Sequence, residues 1–127
     1  ASAEGIPRAY LCGNLVGIYY GVGSNWRAVS DGASGQRVLL HFRGNAEVAT
    51  VKWFKNERPY WEPSGIGFSM SAGFLILVPT NDFVETYVLN VGTGELFYSA
   101  VRSGGGVLPN GFKSLRGTCT PAGAMVR

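Results

Sequence analysis

The sequence has few charged residues and few of the side chains on which catalytic sites depend. Only 15% of its 127 residues are Asp, Glu, Lys or Arg, there is one histidine, His41, and no two Lys or Arg residues are adjacent. Nucleic-acid-binding surfaces cluster basic residues on one face, so a net charge of +3 spread in this way predicts no nucleic-acid partner. A Ser or Cys triad needs a histidine base, and no nucleophile motif accompanies His41. The sequence therefore predicts a protein that is not an enzyme.

Long apolar runs and cofactor motifs are also missing. The longest apolar run, Phe74 to Val78, is far shorter than the ~18 residues of a membrane-spanning helix, so no membrane span is predicted. The glycine-rich residues 21–26 lack the Gly-Lys-Ser/Thr ending of a phosphate-binding loop. Two cysteines and one histidine do not supply the four ligands of a structural zinc site. We therefore expect neither a cofactor nor a metal ion.

The two cysteines, Cys12 and Cys119, bracket almost the whole chain. The chain also begins Ala1-Ser2-Ala3 without Met, as a processed chain does. Both features are typical of a protein from an oxidising compartment. We therefore predict a Cys12–Cys119 disulfide that ties the first strand to the last, and a periplasmic or extracellular location. Two free buried thiols in a cytosolic protein are the alternative.

Apolar and polar residues alternate with a period of two along most of the chain. Residues 82–90, DFVETYVLN, and 95–102, ELFYSAVR, alternate in this way and are joined by a turn with two glycines, which predicts a β-hairpin. Residues 35–43 and 47–55 form a second such pair, joined through Gly44-Asn45. Further strands are predicted within residues 14–21, 25–30, 73–79 and 111–119.

Eight or nine short antiparallel strands predict one all-β domain that spans residues 1–127. The expected architecture is a closed antiparallel β-barrel, lipocalin-like or similar, with a β-sandwich as the second choice. Closure leaves no exposed strand edge, and a disulfide between the terminal strands fits it. A short helix near residues 8–12 is left open, and residues 103–111 are expected to form a long loop inside the domain.

The segment of residues 55–65, KNERPYWEPSG, places two aromatic residues between two prolines. Pro59 and Pro63 lack a backbone N–H and fix φ, which predicts a semi-rigid loop in place of a helix or a central strand. Trp, Tyr and Arg are the residues most enriched at the energetic centres of protein interfaces. The predicted binding residues are Arg58, Tyr60, Trp61 and Glu62, with Trp26 as a further contact. The same rings are also suited to closing a barrel mouth as a plug.

Short motifs near the chain ends resemble those of small exported barrels. Tyr10-Leu11-Cys12 and Cys119 look similar to the early Tyr-x-Cys and the late Cys of the periplasmic inhibitors of c-type lysozymes, and Ser34-Gly35 is similar to their Ser-Gly loop. Gly23-Ser24-Asn25-Trp26 is similar to the Gly-x-Trp with which lipocalins open. These resemblances imply a small secreted β-barrel and assign no role to a single residue.

Three functions follow as expectations, in descending order. The first is a non-enzymatic protein that binds a macromolecular partner, as an inhibitor or an accessory subunit, through the aromatic and charged segment. The second is a hollow barrel that holds a small ligand between strand residues such as Tyr87, Trp53 and Phe97. The third is a domain that binds or hydrolyses a saccharide, with Glu57 and Glu62 as the carboxylate pair.

Overall fold

The structure, a computed structural model, describes residues 9–30, 33, 35–43, 47–103 and 110–122. These residues form ten β-strands and a single turn of 3₁₀-helix, Val22–Ser24. The strands are β1 Ala9–Gly21, β2 Val29–Ser30, β3 Gln36–Arg43, β4 Val48–Lys55, β5 Arg58–Trp61, β6 Ser64–Met70, β7 Gly73–Pro79, β8 Phe83–Asn90, β9 Glu95–Arg102 and β10 Gly111–Pro121. Within the described part of the chain no helix is long and apolar enough to cross a membrane.

Eight of the strands close into an antiparallel barrel in the order β1-β3-β4-β6-β7-β8-β9-β10, and β10 pairs with β1. The prediction of an all-β barrel is confirmed, and the β-sandwich is excluded by the closure. The two remaining strands, β2 and β5, are short and pair with β1 and β4 outside the closed path. The helix considered for residues 8–12 is wrong, since β1 already begins at Ala9 and pairs there with β3.

Both predicted hairpins are present. β8 and β9 pair from Phe83↔Arg102 to Asn90↔Glu95. In the turn between them Gly94 has a φ of +77°, which glycine adopts without steric cost. β3 and β4 pair from Gln36↔Lys55 to Arg43↔Val48. The connecting Gly44-Asn45 and most of the predicted 103–111 loop lie outside the described residues.

The inward side chains of the barrel make one apolar core, because alternate residues of each strand face the interior. A bulge in β1 preserves this arrangement: Asn14 takes a left-handed φ of 54°, and the register with β10 shifts between Gly13 and Val16. Leu15 is thereby buried while Val16 faces outward. The largest fully buried side chains are Tyr87, Leu15, Leu40, Ile76, Leu89, Leu96, Val38, Val51, Val78 and Cys12.

A disulfide and close backbone packing join the first and last strands of the barrel along a seam. Cys12 and Cys119 are register partners of β1 and β10 and form the predicted disulfide across a sequence separation of 107 residues. Closing a loop of that length is worth ~4.7 kcal/mol in the chain-entropy model. Further along the seam, Gly17 approaches β10 so closely that a Cβ there would lie 1.8 Å from the carbonyl oxygen of Ser114.

The segment predicted as a loop around Tyr60 and Trp61 is instead a short strand. β5 forms a tight hairpin with β4, and its two turn residues, Asn56 and Glu57, both have positive φ, as a type I′ turn requires. Pro59 is tolerated because β5 is an edge strand outside the barrel path, where a missing N–H breaks no ladder of the closed sheet. The hairpin is rigid through backbone pairing, and it carries Trp61 back over the barrel end.

Candidate functional site

A cavity of about 400 Å³ opens at one end of the barrel. It lies at the end where β4 and β9 finish and β3, β8 and β10 begin, and the β4–β5 hairpin folds beside it. Its volume falls within the ~300–1,000 Å³ of small-molecule sites. The lining residues are Gln36, Trp53, Tyr60, Trp61, Phe83, Glu85, Tyr98, Arg102 and Lys113.

Buried hydrogen bonds centred on Glu85 form the floor of the cavity. Glu85 is only 3% exposed. The indole Nε1–H of Trp53 donates to the hydroxyl of Tyr87 at 2.8 Å. That hydroxyl donates to Oε1 of Glu85 at 2.7 Å, and the hydroxyl of Tyr98 donates to Oε2. Each of these groups is therefore satisfied internally, as buried polar groups must be. The network fixes the floor in one arrangement.

Burial shifts the protonation of this floor towards neutral forms. Desolvation raises the pKa of Glu85, and it outweighs the opposing effects of the two phenol hydrogen bonds and of the positive charges of Arg102 and Lys113. Burial, reinforced by the charge of Glu85, also raises the pKa of Tyr87 and Tyr98, so both phenols keep their protons.

Two positively charged side chains, from the neighbouring strands β9 and β10, line the cavity wall. Arg102 is the last residue of β9 and Lys113 lies near the start of β10, and both act electrostatically on Glu85. The Nε–H of Arg102 is buried and has no hydrogen-bond partner among the described residues. A buried donor without a partner costs about 1–3 kcal/mol. This nitrogen is closed to solvent, so what Arg102 offers to a ligand in the cavity is the positive charge of its guanidinium.

Aromatic rings form the rim. Trp61 packs edge-on against Phe83, with ring centroids 5.6 Å apart, and both line the cavity together with Trp53 and Tyr98. The hydroxyl of Tyr60 donates to Oε1 of Gln36 at 2.6 Å, which ties the hairpin to β3. Offset and edge-on rings of this kind offer flat apolar surface to a ligand.

The predicted binding residues separate into three places. Tyr60 and Trp61 line the cavity, whereas the exposed Arg58 and Glu62 do not. Glu62 instead lies 3.8 Å from Nζ of Lys52 on β4. Trp26 is also outside the cavity and packs on the outer face of β1, with its ring centroid 5.3 Å from that of Tyr20.

Of the three residues predicted to line a hollow barrel, the structure places one at the cavity, one beneath it and one on the outer surface. Trp53 lines the cavity as predicted, and Tyr87 lies fully buried beneath it. Phe97 was expected inside but is 44% exposed on the outer surface, because its neighbour Tyr98 takes the inward position opposite Tyr87.

The sequence interpretation missed the polar residues of the cavity. Glu85 carried a signal, since it shares one face of an alternating strand with Phe83 and Tyr87, and a carboxylate on an apolar face is rarely buried without function or partners. Arg102 and Lys113 carried none, because their convergence depends on the β9–β10 register. Among the described residues no cluster of three His, Cys, Asp or Glu side chains is arranged to hold a metal ion.

Comparisons with known proteins add no assignment to this geometry. No protein-family model matches the sequence, no curated protein matches it, and no solved structure matches the fold.

Proposed function

We propose that the protein binds a small ligand in the cavity at the barrel end and is not an enzyme. The observation that carries this proposal is the combination of flat aromatic rings at the rim with the positive charges of Arg102 and Lys113 in the wall. A ligand that satisfies both has a planar apolar body and an anionic or strongly accepting group. Arg102 and Lys113 in the wall support the choice of an anion.

The proposal places the protein in an oxidising compartment, in the periplasm or outside the cell. The Cys12–Cys119 disulfide supports this location, because such bonds persist where thiols are not kept reduced.

A direct test uses two naphthalene probes that differ in charge, naphthoate and naphthamide. Each probe is titrated into the protein, and its dissociation constant is measured from the change in tryptophan fluorescence. Naphthoate should bind more tightly than naphthamide. Replacing Arg102 by Gln should weaken naphthoate by about 10–150-fold, because a hydrogen bond to a charged group is worth about 1.5–3 kcal/mol, and should leave naphthamide nearly unchanged. Trp61→Ala should weaken both probes.

The matched control is Arg43→Gln, which removes the same charge from an exposed residue at the opposite end of β3. It should not alter either affinity. If neither probe binds, or if the Arg43 and Arg102 variants weaken naphthoate equally, the cavity is not an anion site and the proposal fails.

A macromolecular partner is the second candidate function. Tyr60 is 54% exposed at the rim and Arg58 beside it is exposed as well, so both are accessible to a partner that covers the cavity. Replacing Arg58 by Ala would weaken such a partner and leave naphthoate binding intact. Saccharide hydrolysis by Glu57 and Glu62 is not proposed, because they pair separately with Arg37 and Lys52 and neither lines the cavity.

A further inference from the structure

The outer face of β8, β9, β10 and β1 carries an apolar ridge that points away from the core. Tyr20, Phe112, Val101 and Val84 are successive register partners across these four strands, and each is at least 40% exposed. The rings of Tyr20 and Phe112 stack with centroids 6.3 Å apart. We name these four residues the ridge. Its composition resembles a core and not a solvated surface, where outward positions of an antiparallel sheet are normally polar.

A groove runs beside the ridge. Two residues further along the strands, a distance of about 7 Å, the register partners are the small side chains of Ser114, Ser99 and Thr86. They form the bottom of a depression of about 370 Å³, which is bounded on its other side by Phe97 and Val88. The ridge and the groove therefore lie parallel and adjacent on the same surface.

The apolar surface is large for a monomer. An aromatic side chain contributes ~150–250 Å² when fully exposed, so the half-exposed Tyr20, Phe97 and Phe112, with the valines and Ile18 around them, offer on the order of 500–700 Å². The largest apolar patch of a typical monomer is about 300–600 Å². Stable interfaces cover about 600–1,000 Å² on each partner, and the upper part of the estimate for this face lies within that range.

Charge does not oppose the approach of an identical face. Two charged residues lie on this face, Arg116 at the groove and Glu95. They pair with each other, with Nε of Arg116 2.9 Å from Oε2 of Glu95. The net charge of +3 therefore comes from other parts of the chain. Two copies would meet here without stacking like charges.

We propose that this face binds a second copy of the chain to form a symmetric dimer. In a twofold arrangement each copy presents the same surface. The ridge of one barrel, centred on Phe112 and Val101, lies in the Ser114–Ser99–Thr86 groove of the other, and the reverse contact forms at the same time. The two sheets then pack face to face at about 10 Å, as in a β-sandwich. None of the four ridge residues lines the barrel-end cavity, so a ligand in the cavity is not part of this interface.

The test is the mass of the full chain in solution, by sedimentation or light scattering over a range of protein concentrations. The expected mass is twice the 13.6 kDa of the chain. Phe112→Glu should shift the protein to monomer, because it buries a charge in the partner's groove, and Ser99→Phe should do the same by filling the groove. The matched control is Phe68→Glu: Phe68 is 45% exposed but lies on β6, three strands from β9, and this variant should remain a dimer.

Circular dichroism and the midpoint of urea unfolding show whether each variant is folded. A monomeric wild-type chain at every concentration would overturn the proposal, and a monomer whose ridge binds detergent or another protein would assign the face to that occupant. A dimer that survives Phe112→Glu and Ser99→Phe but is lost in Phe68→Glu would place the interface on β6 instead.

Discussion

Replacing Tyr87 by Phe removes one oxygen atom and breaks two buried hydrogen bonds. The hydroxyl accepts from Nε1 of Trp53 and donates to Oε1 of Glu85, and all three residues are at most 4% exposed. The variant leaves the indole N–H and one carboxyl oxygen without their partner, at about 1–3 kcal/mol for each buried group. For the two groups together we therefore expect the free energy of unfolding to fall by about 2–6 kcal/mol, a large part of the ~5–15 kcal/mol of a typical domain.

The measurement is urea unfolding with the disulfide intact, at one fixed protein concentration so that any dimer contributes equally. Tyr60→Phe is the matched control, since it makes the same chemical change where the hydroxyl bonds Gln36 at the exposed rim. Its cost should stay below about 1 kcal/mol, because water replaces the lost partner. If both variants lower the unfolding midpoint equally with unchanged slopes, the buried network does not stabilise the fold and our interpretation of the cavity floor is wrong.

Two further predictions concern pH and the barrel seam. Burial raises the pKa of Glu85, so the folded protein keeps the proton of this carboxyl to a higher pH than the unfolded chain does. The stability that the protonated carboxyl contributes is therefore full below the unfolded pKa of about 4.3. It is lost as pH rises through the folded pKa. Glu85→Gln should flatten this decline in urea midpoints measured across pH, and an unchanged slope would contradict it. Gly17→Ala should destabilise the barrel by more than about 3 kcal/mol, the upper range for ordinary overpacking, since its Cβ would overlap the backbone of β10. Gly35→Ala, where a Cβ meets no atom within 4 Å, is the control, and equal thermal shifts in both variants would rule out a steric seam.

Much of the fold was predictable because the chain obeys local rules there. The β8–β9 hairpin follows from the strict alternation of apolar and polar residues on both sides of a glycine turn. The Cys12–Cys119 bond follows from the position of the two cysteines near the two ends of a chain of antiparallel strands. The β5 strand was not predictable by the same rules. Two prolines argue against a strand, and only the position of β5 outside the closed path makes Pro59 harmless.

The choice of inward face failed where both faces are apolar. In β9, Phe97 and Tyr98 are adjacent aromatic residues, and the period of two does not decide which one is inside. The decision comes from the pairing of Tyr98 with Tyr87 and from the hydrogen bond of Tyr98 to Glu85. The same ambiguity in β1 hides the outward ridge residue Tyr20. The cavity residues Arg102 and Lys113 were missed because their meeting depends on cross-strand register, which a single sequence does not contain.

The position of the disulfide determines how the barrel responds to mechanical force. Cys12 and Cys119 lie opposite each other in the first and last strands of the chain. Tension applied from outside the two cysteines therefore passes through the sulfur–sulfur bond and bypasses the hydrogen-bonded ladder between them. With the bond intact, stretching does not extend the residues between the two cysteines. Once it is reduced, the separation of 107 residues becomes extensible by about 350–385 Å, at ~3.3–3.6 Å per residue. The cross-link therefore makes this chain resistant to being pulled through a narrow pore until a reductant acts on it.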